Sequence, residues 1–227
     1  MHTELVVFDL AGTTVRDHDD VNRCFREALA TAGLRISAAR VNAVMGLAKP
    51  EAIRRLALET GGRDYMIDTT AIHADFVARM TRHYREDASV REITGVSEMF
   101  RQLRGMGIMA AVNTGFSREI TDTILARMGW LDDELIAASI SSDETPRGRP
   151  WPDMIQALMR RLNIHDSQRV AKIGDTPADL FEGQNAGCGL IIGVTSGASS
   201  REQLQAAPHT HLLEIVAELP ALLSAPH

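Results

Sequence analysis

The chain has 227 residues, a formal net charge of −6 and an apolar fraction of 44%. This length is enough for one sizeable core, or for a core with a small second domain. The chain has no long cluster of Lys and Arg, which argues against nucleic acid or an anionic membrane as a partner. Two cysteines without metal-type spacing, and the lack of a signal peptide or an apolar run of bilayer length, predict a cytoplasmic protein with free thiols.

The first element is a short apolar run, Leu5 to Phe8, which ends at the carboxylate of Asp9. An unbroken apolar run of this length is typical of a buried parallel strand. Ligands of open α/β sheets bind beyond the carboxyl ends of the strands. Asp9 is therefore a candidate nucleophile or metal ligand, although this stretch alone is equally consistent with an ordinary strand-to-loop aspartate.

From the end of this strand to residue 88 the sequence indicates helix almost throughout, with apolar side chains at helical spacing. Four helices with no strand among them predict a separate unit inserted after the first strand. We therefore predict a cap domain over residues 16–89 and a core domain formed by residues 1–15 and 90–227. Linkers at the two ends of the cap are expected hinges for closure over a site.

Strands and helices alternate again after the cap. The further predicted strands are Ile108–Val112, Leu135–Ile140, Val170–Ile173 and Leu190–Val194. The predicted helices among them are Val96–Leu103, Arg118–Met128, Asp153–Leu162 and Asp179–Asn185. This order predicts an α/β fold in which a doubly wound, parallel, Rossmann-like core carries a small, all-helical cap.

Three later stretches could meet Asp9 at the strand ends, namely Val112 to Gly115, Arg147 to Pro150 and Ile173 to Asp179. Their order and spacing resemble the haloacid dehalogenase superfamily over almost the whole chain. The resemblance implies phosphoryl transfer through an aspartyl intermediate at Asp9. In that superfamily a second Asp, which protonates the leaving group, usually stands two residues after the nucleophile, and here Ala11 occupies its position.

Phosphoryl transfer to a carboxylate needs a hard cation as well as a nucleophile. Mg²⁺ is the expected cofactor because it prefers oxygen ligands. The candidate ligands are Asp9, Asp175 and the backbone carbonyl of Ala11. Asp179 lies one helical turn after Asp175, where it could hold the waters of the metal, orient a basic group, or simply face the helix dipole.

The phosphoryl oxygens also need hydrogen-bond donors and positive charge. Thr114 and the backbone of Gly115 are candidate donors from the end of a strand. Arg149 stands where the superfamily usually places a Lys or Arg, and its guanidinium suits tetrahedral oxygens. Arg147 is the adjacent competitor for this role, and the Gly-Arg-Pro context favours Arg149.

Of the 24 basic residues of the chain, only Lys49 and Lys172 are lysine. A lysine can lose its proton and form an imine with a carbonyl compound, which an arginine cannot do. A protonated imine is an electron sink that would stabilise the carbanion left when a phosphorus–carbon bond breaks. An imine at Lys49 would therefore make the acid that is missing at Ala11 unnecessary. Before the motifs are considered, chance explains the position of this lysine about equally well.

Five motifs together resemble the phosphonatase, or phosphonoacetaldehyde hydrolase, family: Asp-x-Ala-Gly-Thr-Thr-Val, Met-Gly-Leu-x-Lys, Gly-Arg-Pro, Gly-Asp-Thr-x-x-Asp and Glu-Gly-x-Asn-Ala-Gly. The resemblance implies that Lys49 forms a Schiff base and that Asp9 accepts the phosphoryl group, with acetaldehyde and phosphate as products. It also implies a homodimer through the cap. Met45 matches a cap methionine near the lysine, although its pattern alone favours a core methionine.

The chain departs from the phosphonatase pattern at three places. Ala52 replaces the usual histidine three residues after the lysine, and Phe116 replaces a tyrosine. The segment 16–19 lacks the family's usual cysteine. The group that transfers protons during imine formation is therefore open, with Glu51 and His18 as candidates.

Three other functions stay open on the sequence. A phosphatase of the same fold would use Lys49 only to bind an anionic phosphate ester. A haloacid dehalogenase also lacks the second Asp but needs no metal, and the pair Asp175 and Asp179 argues against it. A binding protein without activity is disfavoured by the intact set of candidate site residues. The expected partner in each enzymatic case is a small molecule.

Overall fold

The computed structural model describes residues 2–59 and 67–224. The strands of this part of the chain are β1 (Leu5–Phe8), β2 (Met109–Thr114), β3 (Ala138–Ser141), β4 (Val170–Gly174), β5 (Leu190–Val194) and β6 (His211–Leu213). Its α-helices are α1 (Asp20–Thr31), α2 (Ala38–Asn42), α3 (Lys49–Glu59), α4 (Thr69–Glu86), α5 (Val96–Gly105), α6 (Arg118–Met128), α7 (Asp153–Arg161), α8 (Pro177–Ala186), α9 (Arg201–Gln205) and α10 (Leu219–Ser224).

The strands form one parallel sheet in the order β3-β2-β1-β4-β5-β6. Strand β1 lies between β2 and β4, so the chain builds outward from it in both directions. In the register of the sheet, Phe8 pairs with Val112 of β2 and with Ile173 of β4. The carboxyl ends of these three strands therefore meet at one edge, which is where such sheets bind ligands.

The predicted α/β fold, a doubly wound parallel sheet with flanking helices, is confirmed. Strand β3 begins later than predicted, because the apolar pair Leu135 and Ile136 packs into the core from the segment before the strand. Strand β6 and helices α9 and α10 were not predicted. β6 is a three-residue strand at the edge of the sheet, and its half-buried residues do not form the long apolar run that marks the other strands.

Helices α1 to α4 bury their apolar faces against one another and against the core. Phe25 of α1 and Phe76 of α4 stack edge to face, with ring centroids 5.3 Å apart. Phe76 also lies 6.2 Å from the ring of Phe116, which follows β2. One apolar cluster therefore runs from the helical segment into the sheet, and the division into cap and core domains stays a prediction.

The two chain segments that lead into and out of the helical segment lie side by side. The backbone N–H of Arg16 donates to the carbonyl of Arg91 at 3.0 Å, and Val15 forms an isolated bridge with Glu92. The Arg16 side chain adds a hydrogen bond of 2.8 Å to Thr94. These contacts anchor the start of the helical segment directly behind the loop that carries Asp9. None of the described helices has the length and hydropathy that a membrane crossing requires.

Candidate active site

The site is a cavity at the carboxyl ends of β1, β2 and β4. It has about 390 Å³ of empty space when its open mouth is included. The sequence-predicted residues that line it are Asp9, Ala11, Met45, Lys49, Thr114, Gly115, Arg149 and Asp175. Asp179 lies just beneath the cavity and is fully buried. The sheet and the helical segment thus bring together the residues predicted as nucleophile, amine, phosphoryl-binding groups and metal ligands.

Asp9 follows β1 directly, and its backbone N–H continues the sheet by donating to the carbonyl of Ile173. One carboxylate oxygen, Oδ1, lies 2.8 Å from a guanidinium nitrogen of Arg149. Burial raises the pKa of Asp9, and Arg149 opposes that rise. Arg147 lies outside the cavity, where it is exposed, pairs with Asp153 and stacks on Trp151. The contact to the nucleophile candidate therefore belongs to Arg149.

A buried polar network beneath the cavity holds Arg149 in place. Its guanidinium donates to the backbone and side-chain oxygens of Asn113, both at 2.7 Å, and contacts Asp179 at 3.0 Å. Glu182 accepts from Arg149 at 3.0 Å and from the Asn113 amide at 2.8 and 2.9 Å. Lys172 completes the network, with its Nζ 2.7 Å from Asn113 and 2.8 Å from Asp179.

Three members of this network, Asn113, Lys172 and Glu182, were not among the predicted site residues. Lys172 offered a signal, because a lysine inside the otherwise apolar run of β4 must find a buried counter-charge. Glu182 lies three residues after Asp179 on α8, which places the two carboxylates on one helix face. Asn113 precedes Thr114 on β2, and no sequence signal distinguishes its role from that of any other strand residue.

The carboxylates of Asp9, Asp175 and Asp179 form a cluster whose nearest oxygens all lie within 4.8 Å of one another. Asp175 is oriented by two donors, the Thr13 hydroxyl at 3.0 Å and the Ala198 backbone N–H at 2.7 Å. Burial, followed by the charge of Asp9, raises the pKa of Asp175 to about 8. Such crowding of buried carboxylates is relieved by a bound cation, and an all-oxygen donor set fits Mg²⁺.

Asp179 has a different environment from the other two carboxylates. Burial opposes its ionisation, but Arg149 and Lys172 outweigh burial and lower its pKa. Its second oxygen, Oδ2, accepts from the hydroxyl of Thr176 at 2.6 Å. Asp179 is thus held as a charged group that bridges Arg149 and Lys172. It lies deeper than Asp9 and Asp175, beneath the cavity.

Lys49 is the first residue of α3, and only 3% of its surface is exposed. Its Nζ lies 5.7, 5.6 and 5.3 Å from the ring centroids of Phe25, Phe76 and Phe116. Burial lowers the pKa of Lys49 to about 8, with partial opposition from Asp9. The ring faces attract an ammonium, but the loss of hydration is the larger effect. Lys49 is therefore an amine that is substantially neutral just above neutral pH.

The loop that precedes Lys49 packs backbone against backbone on the core. Gly46 has φ +80°, and a Cβ there would collide with the hydroxyl of Thr176. A Cβ at Gly115 would lie only 2.7 Å from the carbonyl oxygen of Leu47. Only glycine permits these approaches. The two glycines allow the loop to seat Met45 in the cavity wall and to bring Lys49 over the strand ends.

The predicted proton-transfer candidates lie outside the cavity. Glu51 is tied to Arg54 and Arg55 on the outer side of α3, and His18 is exposed beside the linker. Asp17, which was not predicted, does line the cavity. Its signal was its position, because it falls in the segment where the related family has a cysteine.

The chain is similar in sequence to known hydrolases. The family model described as haloacid dehalogenase-like hydrolase matches residues 3–187. Phosphonoacetaldehyde hydrolase of Bacillus cytotoxicus is 33% identical over 214 residues, which cover 88% of this chain and 78% of that protein. The protein of the same name from Nitratidesulfovibrio vulgaris is 30% identical over 207 residues, covering 85% of this chain and 71% of that protein.

Solved structures share the fold. A hydrolase from Pseudomonas syringae superposes with a TM-score of 0.85 at 19% identity and covers 98% of both chains. A phosphonoacetaldehyde hydrolase-like protein from Oleispira antarctica superposes with a TM-score of 0.81 at 23% identity, covering 98% of this chain and 91% of that one. At these identities the likeness extends to the fold alone.

Proposed function

The chain belongs to the haloacid dehalogenase-like hydrolases, on the branch that resembles phosphonoacetaldehyde hydrolase, and on that premise we propose that it cleaves a phosphorus–carbon bond. The proposed substrate is phosphonoacetaldehyde or a related carbonyl phosphonate. The single observation that carries the proposal is the environment of Lys49, a buried amine with a pKa lowered to about 8 that lines the same cavity as Asp9. The relatives named for this reaction support it.

In the proposed reaction the neutral amine of Lys49 attacks the carbonyl carbon, and uptake of one proton with loss of water gives a protonated imine. The carboxylate of Asp9 then attacks phosphorus. The electron pair of the breaking phosphorus–carbon bond passes into the imine and forms an enamine. No acid beside the nucleophile has to protonate this leaving group, which is why Ala11 is compatible with the reaction.

Two hydrolyses complete the turnover. Water cleaves the aspartyl phosphate at Asp9 and releases inorganic phosphate. The enamine takes a proton at carbon and returns to a protonated imine, which water hydrolyses to release the aldehyde and restore Lys49. The aldehyde would be acetaldehyde if the substrate is phosphonoacetaldehyde.

Arg149, Thr114 and the backbone N–H of Gly115 are proposed to bind the phosphoryl oxygens. Mg²⁺, when bound, would neutralise charge that develops on the transferring group. Asp9, Asp175 and the carbonyl of Ala11 would hold it. The buried network beneath the cavity fixes the Arg149 guanidinium in place, so that little reorganisation is needed during the reaction.

A phosphatase that acts on a small phosphate ester is the second candidate. The observation in its favour is the set of three rings around Nζ, which would stabilise Lys49 as an ammonium that binds an anionic substrate. A metal-independent dehalogenase is less well supported, because it has no use for a cluster of three carboxylates. A homodimer through the cap stays a prediction.

The variant Lys49→Arg separates the first two candidates, because arginine keeps the positive charge but cannot form an imine. We expect release of phosphate and acetaldehyde from phosphonoacetaldehyde with Mg²⁺ to fall at least about 10³-fold, as is typical when a covalent catalyst is removed. Borohydride should trap a substrate adduct on Lys49 of the native protein, which mass spectrometry of the peptide would locate.

The exposed Arg147 provides a matched control, since Arg147→Lys changes a cation outside the cavity and should leave both measurements unchanged. Undiminished cleavage of phosphonoacetaldehyde by Lys49→Arg would contradict the Schiff base. If native protein and variant both cleave a phosphate ester and neither cleaves the phosphonate, the second candidate is correct.

A further inference from the structure

Imine formation at Lys49 requires a group that moves protons, and this inference rests on the proposed function. The attacking nitrogen must lose protons, while the carbonyl oxygen must gain them in order to leave as water. Proton transfer of this kind by a positioned side chain typically contributes about 10²- to 10⁴-fold to a rate. The residues that the sequence offered for this role, Glu51 and His18, lie outside the cavity.

The described residues that line the cavity include five with ionisable side chains, namely Asp9, Asp17, Lys49, Arg149 and Asp175. Three of them are committed elsewhere, because Asp9 attacks phosphorus, Asp175 belongs to the carboxylate cluster, and Arg149 cannot release a proton. Lys49 is the amine itself. Asp17 is the one remaining carboxyl group in this part of the wall.

The Asp17 side chain is held rigidly at the start of α1. Its Oδ1 accepts hydrogen bonds from the backbone N–H groups of Asp20 at 2.8 Å and Val21 at 3.1 Å. These bonds use one carboxylate oxygen and fix the direction of the other. Val21 also lines the cavity, so the anchoring contact lies at the cavity wall.

The surroundings of Asp17 make its carboxyl group easier to protonate than a carboxyl group in water. Burial is the main cause that raises the pKa of Asp17, and the neighbouring charges of Asp20 and Asp19 add to it. The other titratable groups whose charge couples to it are Lys49 on α3 and the phenol of Tyr84 on α4. The charge of Asp17 is a minor cause that opposes the fall in the pKa of Lys49.

We propose that Asp17 is the proton carrier for Schiff-base formation at Lys49. Its carboxylate lies beyond ion-pair distance of Nζ, so it takes one proton from the ammonium through a bridging water, which frees the amine to attack the carbonyl carbon. The carboxyl group then protonates the oxygen of the carbinolamine and takes a second proton from its nitrogen. It finally donates that proton to the hydroxyl group, which leaves as water. The sum is an ammonium and an aldehyde giving a protonated imine and one water, with Asp17 returned to the carboxylate.

The variant Asp17→Asn tests this assignment, because the amide oxygen can still accept from Asp20 and Val21 but the side chain no longer carries a proton. We expect the rate of borohydride-trapped adduct formation with phosphonoacetaldehyde to fall about 10²-fold or more. Asp132→Asn is the matched control, since Asp132 is an exposed carboxylate that does not line the cavity. That variant should trap at the native rate.

The pH profile gives a readout that a purely structural role of Asp17 would not change. The native reaction needs one proton shared by Asp17 and Lys49, so its trapping rate should fall above about pH 8, the pKa of Lys49. In Asp17→Asn the amine must lose its proton to water, so the rate should instead rise with pH. The midpoint of that rise should lie below about pH 8, because the charge of Asp17 no longer supports the pKa of Lys49.

Each outcome bears on the inference in a different way. Equal trapping rates and equal pH profiles for native protein and Asp17→Asn would overturn the role of Asp17 and leave the proposed function standing. A native protein that forms no adduct would overturn the proposed function and this inference with it. A slower reaction with an unchanged profile would assign Asp17 only to anchoring α1.

Discussion

Lys49 and Lys172, the two lysines of the chain, are both buried, but their surroundings are opposite. Lys172 Nζ lies 2.8 Å from Asp179 and 2.7 Å from Asn113, within a network of charged side chains. Lys49 Nζ faces the rings of three phenylalanines. Within residues 2–59 and 67–224, no carboxylate lies at ion-pair distance from Lys49.

This contrast shows how the same type of residue, lysine, can take two different roles in one site. Lys172 makes charge-assisted hydrogen bonds, and these help to position the carboxylates that hold Arg149. Lys49 is buried without such partners, so burial lowers its pKa and favours the neutral amine that can act as a nucleophile. The polar network takes Asn113 and Lys172 from the sheet, and its carboxylates come from α8. The helical segment supplies two of the three rings around Lys49.

The largest expected effect comes from removing the charge of Lys172. Lys172→Met keeps the volume but leaves Asp179 and Glu182 with Arg149 as their remaining buried cation. We expect the free energy of unfolding to fall by about 3–5 kcal/mol, as is typical when one partner of a buried ion pair is removed. Urea unfolding followed by circular dichroism would measure the change.

Arg169→Met is the control for that experiment, because Arg169 pairs with Glu4 in an exposed position. Loss of an exposed pair should cost less than about 1 kcal/mol. A similarly small cost for Lys172→Met would mean that the network tolerates the loss of this charge. The two lysines would then differ in their surroundings but not in their contribution to stability.

The second prediction is a gain in stability instead of a loss. Lys49→Met should raise the free energy of unfolding at pH 7 by about 3 kcal/mol, because a pKa lowered from 10.5 to about 8 disfavours folding by about 1.4 kcal/mol per pH unit of that difference. The cost of the native lysine is fully present below pH 8. It disappears as the pH rises towards 10.5, so the advantage of the variant should shrink over that range.

Unfolding measured at pH 7 and at pH 10 would check both the size and the sign of this effect. The same variant should form no borohydride-trapped adduct. A Lys49→Met protein less stable than the native one would show that the rings hold an ammonium, and it would favour the phosphatase.

The smallest expected effect concerns the aromatic pocket alone. Phe116→Leu removes one ring whose centroid is 5.3 Å from Lys49 Nζ while it keeps the site apolar. An ammonium loses about 0.5–1 kcal/mol of attraction in this way, so the pKa of Lys49 should fall by about half a pH unit. The alkaline fall in adduct trapping should move to lower pH by the same amount, and a shift to higher pH would contradict the role of the ring.

The central strands could be predicted because their sequences carry the signal of burial. β1 is a continuous apolar run that ends at Asp9, and β5 is another with bounds as predicted. β6 has three half-buried residues at the sheet edge and no such run. Its position depends on pairing with β5, which lies in the tertiary structure.

The residues of the candidate site also divide into those that the sequence could predict and those that it could not. Asp9, Lys49, Arg149 and Asp175 could be singled out because each stands in a motif, and all four line one cavity. Asp17 belongs to no recognised motif. It meets the cavity only because the linker hydrogen bonds fix the start of α1 beside the strand ends.

The sequence by itself therefore determined the first five strands, the helical insertion and the candidate groups at the strand ends, since apolar runs and turn residues act locally along the chain. Only the tertiary structure decided the surroundings of the two lysines. A side chain's pKa and its partners depend on which distant residues share its burial. Parallel pairing brought Asn113 to Lys172, and helix packing brought the rings of Phe25 and Phe76 to Lys49.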